Sequence, residues 1–240
     1  MKKLIAYITT GFPDKEFTID LIESLKESGV DGIELGIPFS DPVADGEVIQ
    51  EVNKRALQNG YKISDTFYVS EKISDKIDTY WMGYFNNFYH KGYDFMVEKA
   101  KEYNVKGFII PDLPYEEAVF YEEKFPLISF VAPTDSKERI KTILKNPKEF
   151  IYLVAYAGIT GANKKEDLSD VISHIKEITD TPVFIGFGVN EKTAREKAKD
   201  VDGVIVGSAF VKVLLEDISN TEKIKKITEK AKIIKEEING

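Results

Sequence analysis

Eight short apolar runs, each followed by a stretch with helical spacing, predict an α/β fold: a (β/α)8 TIM barrel forming a single domain over residues 1–240. Two further observations support this class. The repeat length is about 30 residues per unit, within the size of one barrel. The runs also release into Gly, Pro, Asp or Asn at many of their C-terminal ends: TTGFPD, PFSDPVADG, PDLP, APTDS, AGITGAN, GFGVN and VGSAF. A barrel builds its site from loops after many strands, whereas an open doubly wound sheet gathers its ligand at one crevice. Loops spread this widely favour closure, and no Pro/Gly/Ser-rich linker divides the chain.

In order, the strand-like runs are LIAYIT (4–9), GIELGI (32–37), TYWMGY (79–84), GFII (107–110), LISFVA (127–132), FIYLVA (150–155), PVFIGF (182–187) and GVIVG (203–207). Between the first two, Phe17, Leu21, Ile22 and Leu25 share one helical face. At the far end Ile224, Ile227, Ala231, Ile234 and Ile238 do the same, and Ser219 with Glu222 reads as a capping box opening that last helix. Ser208 is placed to open a short helix over 208–215.

Composition narrows the chemistry. With 33 Lys+Arg against 41 Asp+Glu the formal charge is -8, which argues against a nucleic-acid or anionic-membrane surface. No cysteine is present, which excludes disulfides, thiolate metal sites and thiol nucleophiles; two histidines exclude a three-histidine metal site. His90 and His174 read as surface or helix residues, so no metal site is expected. The opening MKKLIAYIT run is cut by Pro13 and Asp14 with no small-residue cleavage site. No apolar run approaches the roughly 20 residues of a membrane span. A cytoplasmic location is the expectation.

The stretch GIELGIPFSDPVADG, residues 32–46, carries the most chemistry. Strand alternation sends Ile33, Leu35 and Ile37 to one face, under helices, and Gly32, Glu34 and Gly36 to the other, into the barrel. A carboxylate on an inward face is costly unless paired or used. Glu34 is therefore either a salt-bridged structural group or a catalytic one. Its place in the C-terminal half of a strand favours catalysis. Asp41 and Asp45 follow in a loop stiffened by Pro38 and Pro42, with Gly46 free to take positive φ. Asp45-Gly46 is turn chemistry on its own; beside Glu34 it becomes a second candidate carboxylate, while Asp41 reads as structural or as a partner contact.

A second cluster is glycine-rich. Gly158-Ile159-Thr160-Gly161 follows the sixth run, Gly186-Phe187-Gly188 the seventh and Gly207-Ser208-Ala209 the eighth. Each motif alone serves equally as a tight turn. Together, after the last strands of a barrel and before a short helix, they are expected to form a phosphate cradle of backbone N–H groups. Such a cradle lets an acidic chain hold an anion without a basic patch. Tyr7, Tyr84, Tyr152 and Phe187 lie at the pocket ends of strands and can build a flat apolar slot beside it.

The run I-E-L-G-I-P-F-S-D-P-V-A-D-G, from Ile33 to Gly46, resembles the signature of the tryptophan synthase alpha chain family. The likeness extends along the chain through TTGFPD, MGYFNN (82–87), PDLP (111–114), APT (132–134), GITGA (158–162), GFGV (186–189) and VGSA (206–209). The resemblance implies a barrel lyase that cleaves indole-3-glycerol phosphate to indole and glyceraldehyde 3-phosphate by a retro-aldol reaction. It implies Glu34 as the acid–base group and Asp45 as the partner of the indole N–H. By the same matching Tyr7, Ile49, Met82, Ile109, Tyr152, Thr160 and Phe187 would line the substrate slot, and Gly161, Gly188, Gly207 and Ser208 would hold the phosphate. It also implies a beta-chain partner in an αββα heterotetramer. Pyridoxal phosphate would belong to that partner, so no cofactor is expected on this chain.

Four departures from the family pattern stand out. Glu47 replaces a common proline after Asp-Gly, which is expected to loosen the loop. Tyr156 stands where arginine or a small polar residue is common, and Tyr7 replaces a frequent Phe, adding a hydroxyl to the slot. The first strand-like run also begins within a few residues of Met1, without the family's leading helix. Two other readings share the barrel and its glycine loops: a phosphosugar isomerase or epimerase, and a phosphate-binding subunit that mainly activates a beta chain. The Glu34–Asp45 run favours the lyase.

Overall fold

The computed structural model describes residues 1–155 and 168–240. Eight parallel strands alternate with helices: β1 (Lys3–Thr9), β2 (Gly32–Gly36), β3 (Asp78–Met82), β4 (Gly107–Ile109), β5 (Ser129–Val131), β6 (Ile151–Val154), β7 (Val183–Gly186) and β8 (Gly203–Val206). Hydrogen-bonded neighbours run β4-β3-β2-β1-β8-β7-β6-β5. The ends of that row meet at a parallel bridge between Phe108 and Leu127, where Phe108 N–H donates to Pro126 O and Ile128 N–H to Phe108 O, both at 2.9 Å. The sheet thus closes, and the fold is the expected (β/α)8 barrel. Most strands stop short of the predicted apolar runs at one or both ends, whereas β1 and β3 begin one residue earlier, at Lys3 and Asp78.

The helices form for local reasons legible in their sequence. In α1 (Lys15–Glu27) Asp14 caps the start, its carboxylate accepting from Phe17 N–H at 2.7 Å, and Phe17, Leu21, Ile22 and Leu25 are buried. In α11 (Asn220–Glu237) Ser219 and Glu222 complete the capping box, and Ile227, Ala231, Ile234 and Ile238 are buried on its inner face. Between β3 and the following helices α4 (Phe85–Lys91) and α5 (Tyr93–Glu102) lies an aromatic layer. Phe108 sits 4.7 Å from Phe88, 4.5 Å from Phe125 and 5.9 Å from Trp81, whose indole N–H donates to Ser70 Oγ at 2.9 Å.

Inside the barrel, small and large residues complement each other. Gly36 leaves room for Tyr7: a Cβ at Gly36 would lie 2.5 Å from the Tyr7 hydroxyl oxygen. Gly186 does the same for Tyr152, at 2.4 Å. These two glycines are required by close approach, and they let each ring tilt toward the mouth of the barrel.

Candidate active site

The expected alternation along β2 is realised: Tyr7 of β1 and Tyr80 of β3 flank Glu34 in register. Glu34 is only 3% exposed, and its Oε2 has no hydrogen-bond partner. The structural salt bridge that would explain a buried glutamate has no cation among the described residues. Burial, reinforced by the charge of Asp45, pushes the Glu34 carboxyl up to about 8.

Asp45 sits one residue before the N-cap of α2 (Glu47–Gln58). Its backbone is pinned from two sides: its N–H donates to Pro42 O at 3.0 Å, and Gln50 Nε2 donates to its carbonyl at 2.7 Å. The Tyr84 hydroxyl donates to Asp45 Oδ2 at 3.0 Å. Burial raises the Asp45 carboxyl to about 6, opposed by that hydrogen bond.

One expectation for this loop needs correction. Gly46 does not take positive φ; it is the N-cap of α2 at φ -74°, ψ 165°, because the chain must enter the helix from extended backbone. Glu47 is the first residue of α2, where proline is favoured for its φ and an acidic side chain for its interaction with the helix dipole. Asp41 stays on the surface and accepts from Ser40 Oγ at 2.5 Å.

A cavity of about 550 Å³ opens at the C-terminal ends of the strands, a size that suits a small-molecule ligand. Glu34 and Asp45 line it together with Tyr7, Ile49, Met82, Ile109, Tyr152, Phe187, Gly188, Gly207 and Ser208. Thr160 and Gly161, with Gly158, Ile159 and Tyr156, lie outside the described residues. Tyr84 departs from expectation: it does not line the cavity but stands behind Asp45. The apolar walls are aromatic, with Phe130 stacked on Tyr152 at 4.9 Å and Phe187 edge-on to Tyr152 at 6.1 Å.

Phe187 is held at φ 69° and Gly188 at φ 68°. A left-handed phenylalanine is unfavourable by about 1 kcal/mol or more, so the turn after β7 is over-determined by its surroundings. The Gly188 carbonyl accepts from Thr193 Oγ1 at 2.9 Å. Gly207 precedes the helix α10 (Ser208–Leu214), as the sequence predicts to within one residue.

Side chains not anticipated from sequence also reach this cavity: Lys212, Lys230, Glu191 and Glu216. Lys230 is ion-paired with Glu191. Lys212 lies one helical turn beyond Ser208 on the same face, and that four-residue spacing was the available signal. Among the described residues no group of three or more His, Asp or Glu side chains could hold a metal ion, and no helix is long and apolar enough to cross a membrane.

A closed barrel with two carboxylates, an aromatic slot and glycine turns at its C-terminal face defines a barrel enzyme for a small ligand with a flat apolar part. Comparison with known proteins identifies which one. Residues 1–239 match the tryptophan synthase alpha chain family. The tryptophan synthase alpha chain of Wolinella succinogenes is 54% identical, covering 100% of this chain and 97% of its own length. The solved alpha subunit from Campylobacter jejuni is 35% identical with a TM-score of 0.85, covering 95% of each chain. A chain of the tryptophan synthase a2b2 complex of Pyrococcus furiosus, solved in a study of mutual activation, is 32% identical with a TM-score of 0.85, covering 98% of this chain and 100% of that one.

The chain belongs to the tryptophan synthase alpha chain family. It is a lyase of tryptophan biosynthesis: the alpha reaction cleaves indole-3-glycerol phosphate. The isomerase and epimerase readings are thereby set aside.

Proposed function

We propose that Glu34 is the acid–base group of this cleavage, that Asp45 binds the indole N–H, and that the chain works with a beta chain. The observation that carries the reading is a buried carboxyl oxygen on Glu34 without a partner, in the same cavity as Asp45.

Breaking the bond between indole C3 and the glycerol side chain needs a proton on C3 and loss of a proton from the adjacent hydroxyl. A glutamic acid kept protonated by its apolar surroundings delivers the first proton. Ring protonation places positive charge toward the indole nitrogen, where an ionised Asp45 stabilises it. The Glu34 carboxylate then accepts the hydroxyl proton as the aldehyde forms. The C3–carbon bond electrons return to the ring, and Glu34 ends protonated as it began.

The slot between Tyr152, Phe130 and Phe187 suits a flat indole ring. At the other end Gly188, Gly207 and Ser208 offer backbone N–H groups to the phosphate, with Gly161 and Thr160 as further expected contacts. Lys212 adds a positive charge at the same end. Binding the phosphate far from the reacting carbon helps hold that carbon against Glu34.

The proposed partner is a beta chain in an αββα assembly, with pyridoxal phosphate on the beta chain and no cofactor on this one. The a2b2 architecture of the Pyrococcus furiosus relative supports the partnership. The test is steady-state cleavage of indole-3-glycerol phosphate by this chain, with and without a beta chain. Indole release by the chain alone, accelerated by the partner, is expected. Cleavage only in the mixture would mark a lyase that depends on its partner; no cleavage in either case, with the beta chain's own reaction accelerated, would favour a subunit that chiefly activates its partner.

A further inference from the structure

Tyr84 is the least expected member of the site, because it touches no part of the cavity yet is bound to one of its carboxylates. It follows β3 and caps α4, where Asn87 Oδ1 accepts from its N–H at 2.9 Å and Asn87 N–H donates to its carbonyl at 2.8 Å. Its ring is 2% exposed and stacks on Phe39 at 5.3 Å, with 23° between planes. Its hydroxyl uses both of its hydrogen-bonding roles on the neighbouring loop: it accepts from Ala44 N–H at 3.0 Å and donates to Asp45 Oδ2 at 3.0 Å.

We propose that Tyr84 is a positioning residue for the lyase reaction: it latches the loop after β2 to the loop after β3 and leaves Asp45 Oδ1 turned to the substrate. The inference rests on the reading of Asp45 given above. Two anchors on adjacent backbone and side-chain atoms fix both the loop height and the carboxylate rotation. The phenol is itself held by its stacking on Phe39 and by the Ala44 bond, so the hydrogen bond it gives the Asp45 carboxylate sets that group's rotation. With Oδ2 occupied by the phenol, Oδ1 is the oxygen available to an indole N–H.

The titratable groups facing Asp45 are Glu34 on β2, Tyr7 on β1, Tyr152 on β6 and Tyr84 itself. Among the described residues only Tyr84 is hydrogen-bonded to its carboxylate, and that bond favours the ionised form against burial. Removing the hydroxyl therefore raises the Asp45 pKa while the other three groups stay in place.

The experiment compares wild type, Tyr84→Phe, Asp45→Asn and the double variant in cleavage of indole-3-glycerol phosphate across pH. A second readout follows the Asp45 carboxyl by carbon-13 NMR titration. Tyr84→Phe should lower kcat/KM by about tenfold, the usual scale for a hydrogen bond to a charged group. It should also move the acid limb and the Asp45 titration midpoint to higher pH. The double variant should be no worse than Asp45→Asn, since Tyr84 acts through Asp45. Losses that multiply, or an unmoved Asp45 midpoint, would overturn the latch while leaving the Asp45 reading intact. Wild-type turnover in Asp45→Asn would overturn the Asp45 reading and this inference with it.

Discussion

Tyr7 and Glu34 sit opposite each other in the parallel pairing of β1 with β2, and both side chains line the active-site cavity. The Tyr7 hydroxyl, 3.3 Å from Thr9 Oγ1, is held neutral because burial and the nearby Asp45 charge raise its pKa well above normal. Glu34 thus faces a neutral phenol, with no cation among the described residues to stabilise its charged form.

This environment sets a pH window for catalysis. The competent state has Asp45 ionised and Glu34 protonated. Turnover should therefore rise as pH increases through about 6 and fall as it passes about 8. The kcat/KM profile for indole-3-glycerol phosphate cleavage measures both limbs, and a flat profile across this range would contradict the assignment.

The same burial affects stability. Glu34 has its folded pKa raised above the unfolded value of about 4.3, so the fold loses stability as pH rises from there through about 8. Glu34→Gln removes the penalty. At pH values above 8 it should stabilise the protein by on the order of 2–4 kcal/mol in urea denaturation, and near pH 4 by little. Equal effects at both pH values would show that Glu34 carries no burial penalty.

Phe187 occupies a left-handed backbone position at φ 69°. Phe187→Gly relieves that strain but leaves the unfolded chain freer, so stability should stay within about 1 kcal/mol of wild type. Loss of the ring beside Tyr152 should lower kcat/KM by about tenfold, mainly through KM. A large drop in Tm with unchanged kinetics would make Phe187 a packing residue only.

Lys212 should contribute through charge. Lys212→Ala is expected to weaken glycerol 3-phosphate binding several-fold at low salt, with the difference shrinking as ionic strength rises. A salt-independent loss would point to altered packing of α10 instead. Ser208→Asp should repel the phosphate more strongly than Lys212→Ala weakens it.

Much of this was legible in the residues. The alternation of Gly32, Glu34 and Gly36 told which way Glu34 points, because strand geometry leaves only two faces. The helix start at Ser219 followed from the capping box it forms with Glu222. The glycine at position 46 misled, since glycine serves a helix N-cap as readily as a left-handed turn. Tyr84 was legible as an aromatic at a strand end, but its hydroxyl's partners come from a loop some 40 residues earlier in the chain, and no local spacing encodes that contact. Lys230 reaches the cavity from α11 for the same reason. Tertiary approach of distant loops is what a single sequence leaves out.

The most direct test of the account is Glu34→Gln, with cleavage of indole-3-glycerol phosphate and binding of glycerol 3-phosphate measured on one preparation. Glutamine keeps the shape and fills the same buried position but can neither deliver nor accept the proton. Indole formation should fall by about a thousandfold or more while glycerol 3-phosphate binds as tightly as to wild type. Turnover close to wild type, with binding intact, would contradict the assignment of Glu34 as the acid–base group.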